Sequence, residues 1–348
     1  MKALKRIFMV LFVLSALAAG AGGYWAWNTY QGFANAPLAG VEAGDTLIVE
    51  RGDTLPRLVE RLRGQGIDAG RDLEWRLLAR QLATGGRIQA GEYALEPGIT
   101  PTQLLQHMRD GKVVRHRVTI VEGWNIRELR AALGRATPLV QTLHGIDDAA
   151  LMAMLGREGV HPEGRFLPET YTHDRGDTDV DLLRRAADDL DRVLAAAWEA
   201  RADDLPIDTP EEALVLASIV EKETGIAEER PMIAGVFTRR MRIGMRLQTD
   251  PTVIYGMGTA FAGHIRRRDL LADTPYNTYT RDGLPPTPIA MVGADALRAA
   301  TQPEETDALY FVAVGDGSGR HVFSPTLQAH NAAVRQYVRR YRERHGPR

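Results

Sequence analysis

Two glutamates, Glu221 and Glu223, close an apolar run at residues 211–224. At 100° per residue Leu216, Ile219 and Val220 share one helical face, with Glu223 near its centre and Glu221 pointing almost the opposite way. A carboxylate on an apolar face loses the hydration that favours its charged form, so its pKa rises and it can hold a proton near neutrality. A general acid needs that property. The same position also suits a helix end that has reached solvent, or a Glu paired with an Arg. Helical phase ranks the two: Glu223 is the expected acid, and Glu221 is expected to be a solvated charge or one that acts only from behind it.

Other segments hold residues that could share such chemistry. The 163–171 loop carries Glu163, Phe166, Pro168, Glu169 and Tyr171, a mixture that suits sugar binding and equally suits a loop that plugs back onto a core. Asp250, in the run from Leu247 to Gly256, precedes Pro251, where an Asp is often just a helix cap. Tyr276, Asn277 and Tyr279, followed by Gly283 to Pro286, form a long irregular loop of the kind that carries function. No P-loop, dinucleotide fingerprint, His-Glu-x-x-His or Gly-x-Ser-x-Gly pattern occurs, and the 9 histidines are scattered. Glycosidic bond cleavage fits what remains, because its usual machinery is carboxylates beside an oxocarbenium-like centre. Hydrolysis would need a second carboxylate, for which Glu169 and Asp250 are the candidates.

The elements that would position these groups follow from caps and periodicity. Thr209, Pro210 and Glu212 spell the start of the helix that carries Glu223. Helical spacing also covers residues 179–198, a segment from Pro231 to Gly244 and a terminal helix at about 326–344, with a hairpin around the glycine-rich turn at 315–319. In the helix from Pro231, Ile233, Val236, Phe237, Arg240 and Met241 share a face, while Arg239, Arg240 and Arg242 are expected as surface charge. Nearer the N-terminus a strand–turn–helix pattern recurs before Leu55, Leu104 and Ile126, which predicts a small α/β module. Its Gly52-Asp53-Thr54-Leu55 turn resembles the opening of LysM modules, which bind N-acetylglucosamine-containing glycans, although it is also an ordinary N-cap sequence.

With 348 residues, a net charge of −2 and no cysteine, the chain can bury a core, lacks a basic footprint for nucleic acid and has no disulfide or thiolate site. Lys2, Lys5 and Arg6 precede an uncharged run at residues 7–27 that ends in Tyr24, Trp25 and Trp27. That run can cross a bilayer with the N-terminus in the cytoplasm. A cleaved signal peptide is the competing reading, but an h-region of ~7 to 15 residues is shorter than this run. Residues 28–44 read as a tether.

Ala217 to Thr224, Arg246 to Gly256, Tyr276 to Tyr279, Gly283 to Pro286 and the segment from Phe323 to Asn331 together resemble the membrane-bound endolytic murein transglycosylases, the MltG or YceG-like family. One departure is Thr287, where the family usually shows Gly. The resemblance implies an α+β chain: cytoplasmic tail 1–6, transmembrane helix 7–27, linker 28–44, LysM-like module 45–119 and catalytic domain 120–348. It implies a lytic transglycosylase that cleaves the MurNAc–GlcNAc β-1,4 bond of nascent peptidoglycan and leaves 1,6-anhydro ends. Glu223 matches the catalytic Glu, and Gln248, Asp250, Tyr276, Asn277 and Glu169 become groove residues by analogy. No cofactor or metal is implied. The implied partners are peptidoglycan strands, the inner membrane and peptidoglycan synthases, with the catalytic domain in the periplasm. A muramidase and a non-catalytic wall-binding scaffold are the alternatives.

Overall fold

The computed structural model describes residues 2–84 and 86–346. The expected tail starts, and the expected catalytic domain ends, on residues outside that range. Two compact units separate: residues 1–116 with 174–176, and residues 117–173 with 177–348.

The first unit begins with helix α1 (Lys2–Asn35), the one described helix long and apolar enough to cross a membrane. It does not stop at Trp27. Residues 28–35, read from the sequence as part of a tether, are helical, and Ala34 is buried while Tyr30 and Phe33 pack against the unit's core. The reason is local: Phe33 meets Trp75 edge-on at 5.4 Å, and Thr102 donates to the carbonyl of Ala34 at 2.7 Å. The rest of the unit is β1 (Thr46–Val49), α2 (Leu55–Gly64), α3 (Asp72–Gln81), β2 (Gly91–Ala94) and α4 (Pro101–Asp110). Strands β1 and β2 pair antiparallel, Leu47 opposite Tyr93. Each strand feeds a helix through a turn, Gly52 and Gly98 supplying φ of +88° and +97° that a side chain would resist. The first two copies of the repeated pattern are therefore a repeated structure, while the third, before Ile126, lies in the second unit.

The second unit contains β3 (His116–Thr119), α5 (Ile126–Leu133), α6 (Asp148–Met154), β4 (Thr170–His173), α7 (Asp179–Glu199), α8 (Pro210–Glu223) and α9 (Arg230–Arg242). After them come α10 (Asp250–Met257), α11 (Arg267–Leu271), α12 (Ala294–Thr301), β5 (Tyr310–Ala313), β6 (His321–Ser324) and α13 (Leu327–His345). Strands β3 and β4 pair, and β5 and β6 form the expected antiparallel hairpin.

Helix α8 is the axis of this unit. Thr209 accepts from the backbone N–H of Glu212 while the Glu212 side chain accepts from that of Thr209, so the capping box read from sequence forms. From Ala213 to Glu221 every residue is buried, because α7, α9, α10 and α12 all pack on it. Burial of each large apolar side chain here stabilises the fold by roughly 1.5–3 kcal/mol. A helix buried all round has no polar face to compare with an apolar one. Its last turn thus emerges from a core on all sides, with Glu223 at the exit.

Candidate active site

Glu223 is the last residue of α8 and only partly buried, lining a cavity of about 400 Å³. Its Oε1 accepts a hydrogen bond from the hydroxyl of Thr249. Burial pushes its pKa above the ordinary carboxylate range, the Thr249 hydrogen bond pulls against that, and the Asp250 charge adds to the rise. His321 and Arg240 favour the anion more weakly.

The floor beside Glu223 is the segment 248–250. Gln248 has φ +48°, a left-handed backbone that costs a residue with a Cβ roughly 1–2 kcal/mol. That turn presents Gln248, Thr249 and Asp250 to one cavity. Asp250 opens α10 but makes no capping hydrogen bond; its Oδ1 accepts from the Tyr279 hydroxyl at 2.6 Å. Burial and the neighbouring Asp250 push the Tyr279 phenol up.

The opposite wall comes from α9, the hairpin and α13. Arg240 is buried and donates to the carbonyls of Leu309 and Leu247. Its guanidinium lies 5.5 Å from the Tyr310 ring centre, and that ring stacks on His330 at 5.2 Å. His330 Nδ1 is buried with no hydrogen-bond partner, and burial, then Arg240, depress its pKa. Phe237 and Phe311 pack edge-on at 5.8 Å and close the side.

Of the residues expected from sequence, the cavity brings together Glu223, Gln248 and Asp250. Tyr276 lies outside its lining, its hydroxyl 2.9 Å from that of Thr287 and its ring against Tyr255. Asn277 is 1% exposed; its amide donates to the carbonyls of Asp269, Leu270 and Ala272, and its Oδ1 accepts the N–H of Tyr279. It holds the loop that carries Tyr279. Glu169 is exposed outside the cavity, with its carboxylate on the N–H of Thr170. In the same loop Glu163 and Phe166 are fully buried, so this end of the loop plugs the core. Both Glu163 oxygens accept from the N–H of Ile126 at the start of α5, and burial raises its pKa to about 7.

Glu221 departs most from its expectation. It is 9% exposed, accepts from Arg230 at 3.3 Å and from the N–H of Gly293 at 3.1 Å, and is not a solvated charge. Sequence reading missed Thr249, Arg240, Tyr279, Tyr310 and His330 as site residues; the signal for Arg240 was its place on the face of Ile233, Val236 and Phe237. Among the described residues no group of three or more His, Cys, Asp or Glu side chains is placed to hold a metal ion.

Comparison with known proteins adds four findings. The model of the YceG-like family matches residues 47–336. A Bacillus subtilis protein named endolytic murein transglycosylase is 31% identical over 268 residues, 72% of this chain and 73% of that protein. A Streptococcus pneumoniae protein of the same name is 30% identical over 181 residues, 51% of this chain but 32% of that longer protein. A crystal structure of a YceG-like protein from Listeria monocytogenes covers 83% of this chain and 98% of its own, at 28% identity and a TM-score of 0.53.

Proposed function

Because the chain belongs to the YceG-like family, we propose that it is an endolytic lytic transglycosylase acting on peptidoglycan glycan strands, with Glu223 as its acid and base. The observation that carries this reading is the raised carboxylate of Glu223 at the end of α8, lining a cavity with polar and aromatic walls. Protonated Glu223 gives its proton to the glycosidic oxygen as the muramoyl C1–O bond breaks. The C6 hydroxyl of the same sugar then bonds to C1, and the Glu223 carboxylate takes the hydroxyl proton. The enzyme ends as it began, and the product is a 1,6-anhydro end formed without water. Intramolecular attack carries effective molarities of about 10⁵ to 10⁸ M, so no protein nucleophile is required.

Asp250 supports a second reading, hydrolysis, because it lines the same cavity as Glu223. Mass spectrometry of a peptidoglycan digest separates the two. Anhydro-ended muropeptides that disappear with Glu223→Gln support the transglycosylase; products carrying an added water support the muramidase.

In this reading α1 anchors the chain in the inner membrane with the N-terminus in the cytoplasm, and both units work outside, beside the synthases that make the strands. Residues 45–119 serve as a LysM-like glycan-binding module, supported by the turn at Gly52 that leads into α2. Residues 120–348 carry the chemistry, and Tyr276 and Glu169 border the groove beyond the cavity, while the buried Asn277 supports it from beneath.

A further inference from the structure

Thr249 sits inside a closed ring of hydrogen bonds. Its N–H donates to the Thr278 hydroxyl oxygen at 3.1 Å, and the Thr252 hydroxyl donates to its carbonyl at 2.8 Å. The two remaining hydroxyls, of Thr252 and Thr278, are 2.9 Å apart. With the Thr252 hydrogen spent on the carbonyl, the third bond runs from Thr278 to Thr252. All three threonines are at most 2% exposed. Both peptide groups of residue 249 are thereby fixed, and Gln248, held at φ +48°, donates its own N–H to the carbonyl of Thr278 at 3.2 Å. None of the ring's bonds uses the Thr249 hydroxyl. Its hydrogen goes to Oε1 of Glu223.

We propose that Thr249 is a positioning residue that reserves Oε1 of Glu223 as an acceptor, so that Oε2 both gives the proton to the leaving oxygen and takes it back from the C6 hydroxyl. This rests on the transglycosylase reading above. A neutral carboxyl group has one hydrogen and two oxygens. A donor locked onto Oε1 leaves Oε2 as the oxygen that carries the hydrogen, and the same donor stabilises the carboxylate formed after the first transfer. Without it the carboxyl group can rotate and present the wrong oxygen, and misplacement on this scale reduces rates about 100-fold. The strained backbone at Gln248 fits this role, since a left-handed glutamine persists only where its surroundings impose it.

The test uses the full-length protein in detergent, with purified sacculi as substrate and anhydro-ended muropeptides as the readout. Thr249→Val keeps shape and removes the donor. It should lower kcat roughly 10- to 100-fold with little change in KM. Because the hydroxyl favours the anion, its loss raises the pKa of Glu223, and the fall of activity on the alkaline side moves to higher pH. Asp250 on α10, Arg240 on α9 and His321 on β6 also bear on Glu223, and Tyr279 and His330 line the same cavity. All stay in place across the series, so the movement reads Thr249 alone. Thr249→Ser should restore both kcat and the alkaline limb, and Thr249→Ala, which needs no methyl to fit, should behave as Val does. A Val or Ala variant with wild-type kcat and an unmoved limb overturns the proposal while inactive Glu223→Gln leaves the reading standing. A Ser variant that restores neither also overturns it. Anhydro products from Glu223→Gln overturn the reading and the proposal together.

Discussion

Glu221 and Glu223 stand two residues apart at the end of α8 and are held by unrelated partners, Arg230 and the N–H of Gly293 for the first, Thr249 for the second. In the proposed reading the first holds Arg230 in place and the second does the chemistry. Glu221→Gln leaves the buried Arg230 with only the half-exposed Glu122 and Asp295, at 3.3 and 3.8 Å. It should cost on the order of 2–4 kcal/mol in urea unfolding. Anhydro products should still form at temperatures where the variant is folded.

Burial raises the pKa of both carboxylates, but only Glu221 has a buried ion-pair partner to lose, Arg230. A carboxylate whose pKa is raised in the fold is at no disadvantage below its ordinary value and loses stability as pH rises through the raised one. Glu223→Gln should therefore unfold at equal or higher urea concentration than the wild type above neutrality, while releasing no anhydro ends.

Glu163 gives the clearest pH dependence of stability. Fully buried, with its pKa raised from 4.5 to about 7, it favours the folded state fully below pH 4.5 and loses that contribution as pH rises through 7. The shift corresponds to on the order of 3 kcal/mol. Glu163→Gln keeps an acceptor for the N–H of Ile126 and should match the wild type near pH 5. It should then gain on the wild type progressively toward pH 9, as measured by urea midpoints across that range.

Gln248 tests the strain. Gly at this position accepts φ +48° without cost, so Gln248→Gly should be neutral or more stable by up to about 1 kcal/mol, whereas Gln248→Val should lose about 1–2 kcal/mol. Both remove an amide from the cavity and should raise KM.

Asn277 tests whether its contribution is structural. Asn277→Ala strips three carbonyls near the end of α11 of their donor inside a buried site. Calorimetry should show a loss of about 2–3 kcal/mol, and activity should fall through displacement of Tyr279, whose N–H Asn277 also accepts.

What could be read in the chain divides along the range of the forces involved. The start of α8, the hairpin around Gly315 and the terminal helix rest on residues within a few positions of one another, so caps, turns and periods announce them. Helical phase alone could not establish the roles of Glu221 and Glu223. It assumed one wet face, and α8 has none before its last turn; Glu221 is tied down by Arg230 and Gly293 from α9 and the start of α12. Arg240 looked like one of three surface arginines because nothing local reveals that Leu309 and Leu247 offer it carbonyls indoors. Asp250 looked like a cap because Tyr279, its actual partner, lies 29 residues away.

The run of α1 past Trp27 decides where this protein can be cut. Phe33 and Ala34 belong to the tether by sequence, to α1 by backbone and to the folded module by packing, and Trp75 leans on Phe33. A soluble fragment that starts beyond Asn35 leaves a raw apolar face where the helix was docked and should clump, while one that starts at Asn28 keeps that face covered. In the proposed topology the border between lipid and water and the border between anchor and domain lie about two helical turns apart.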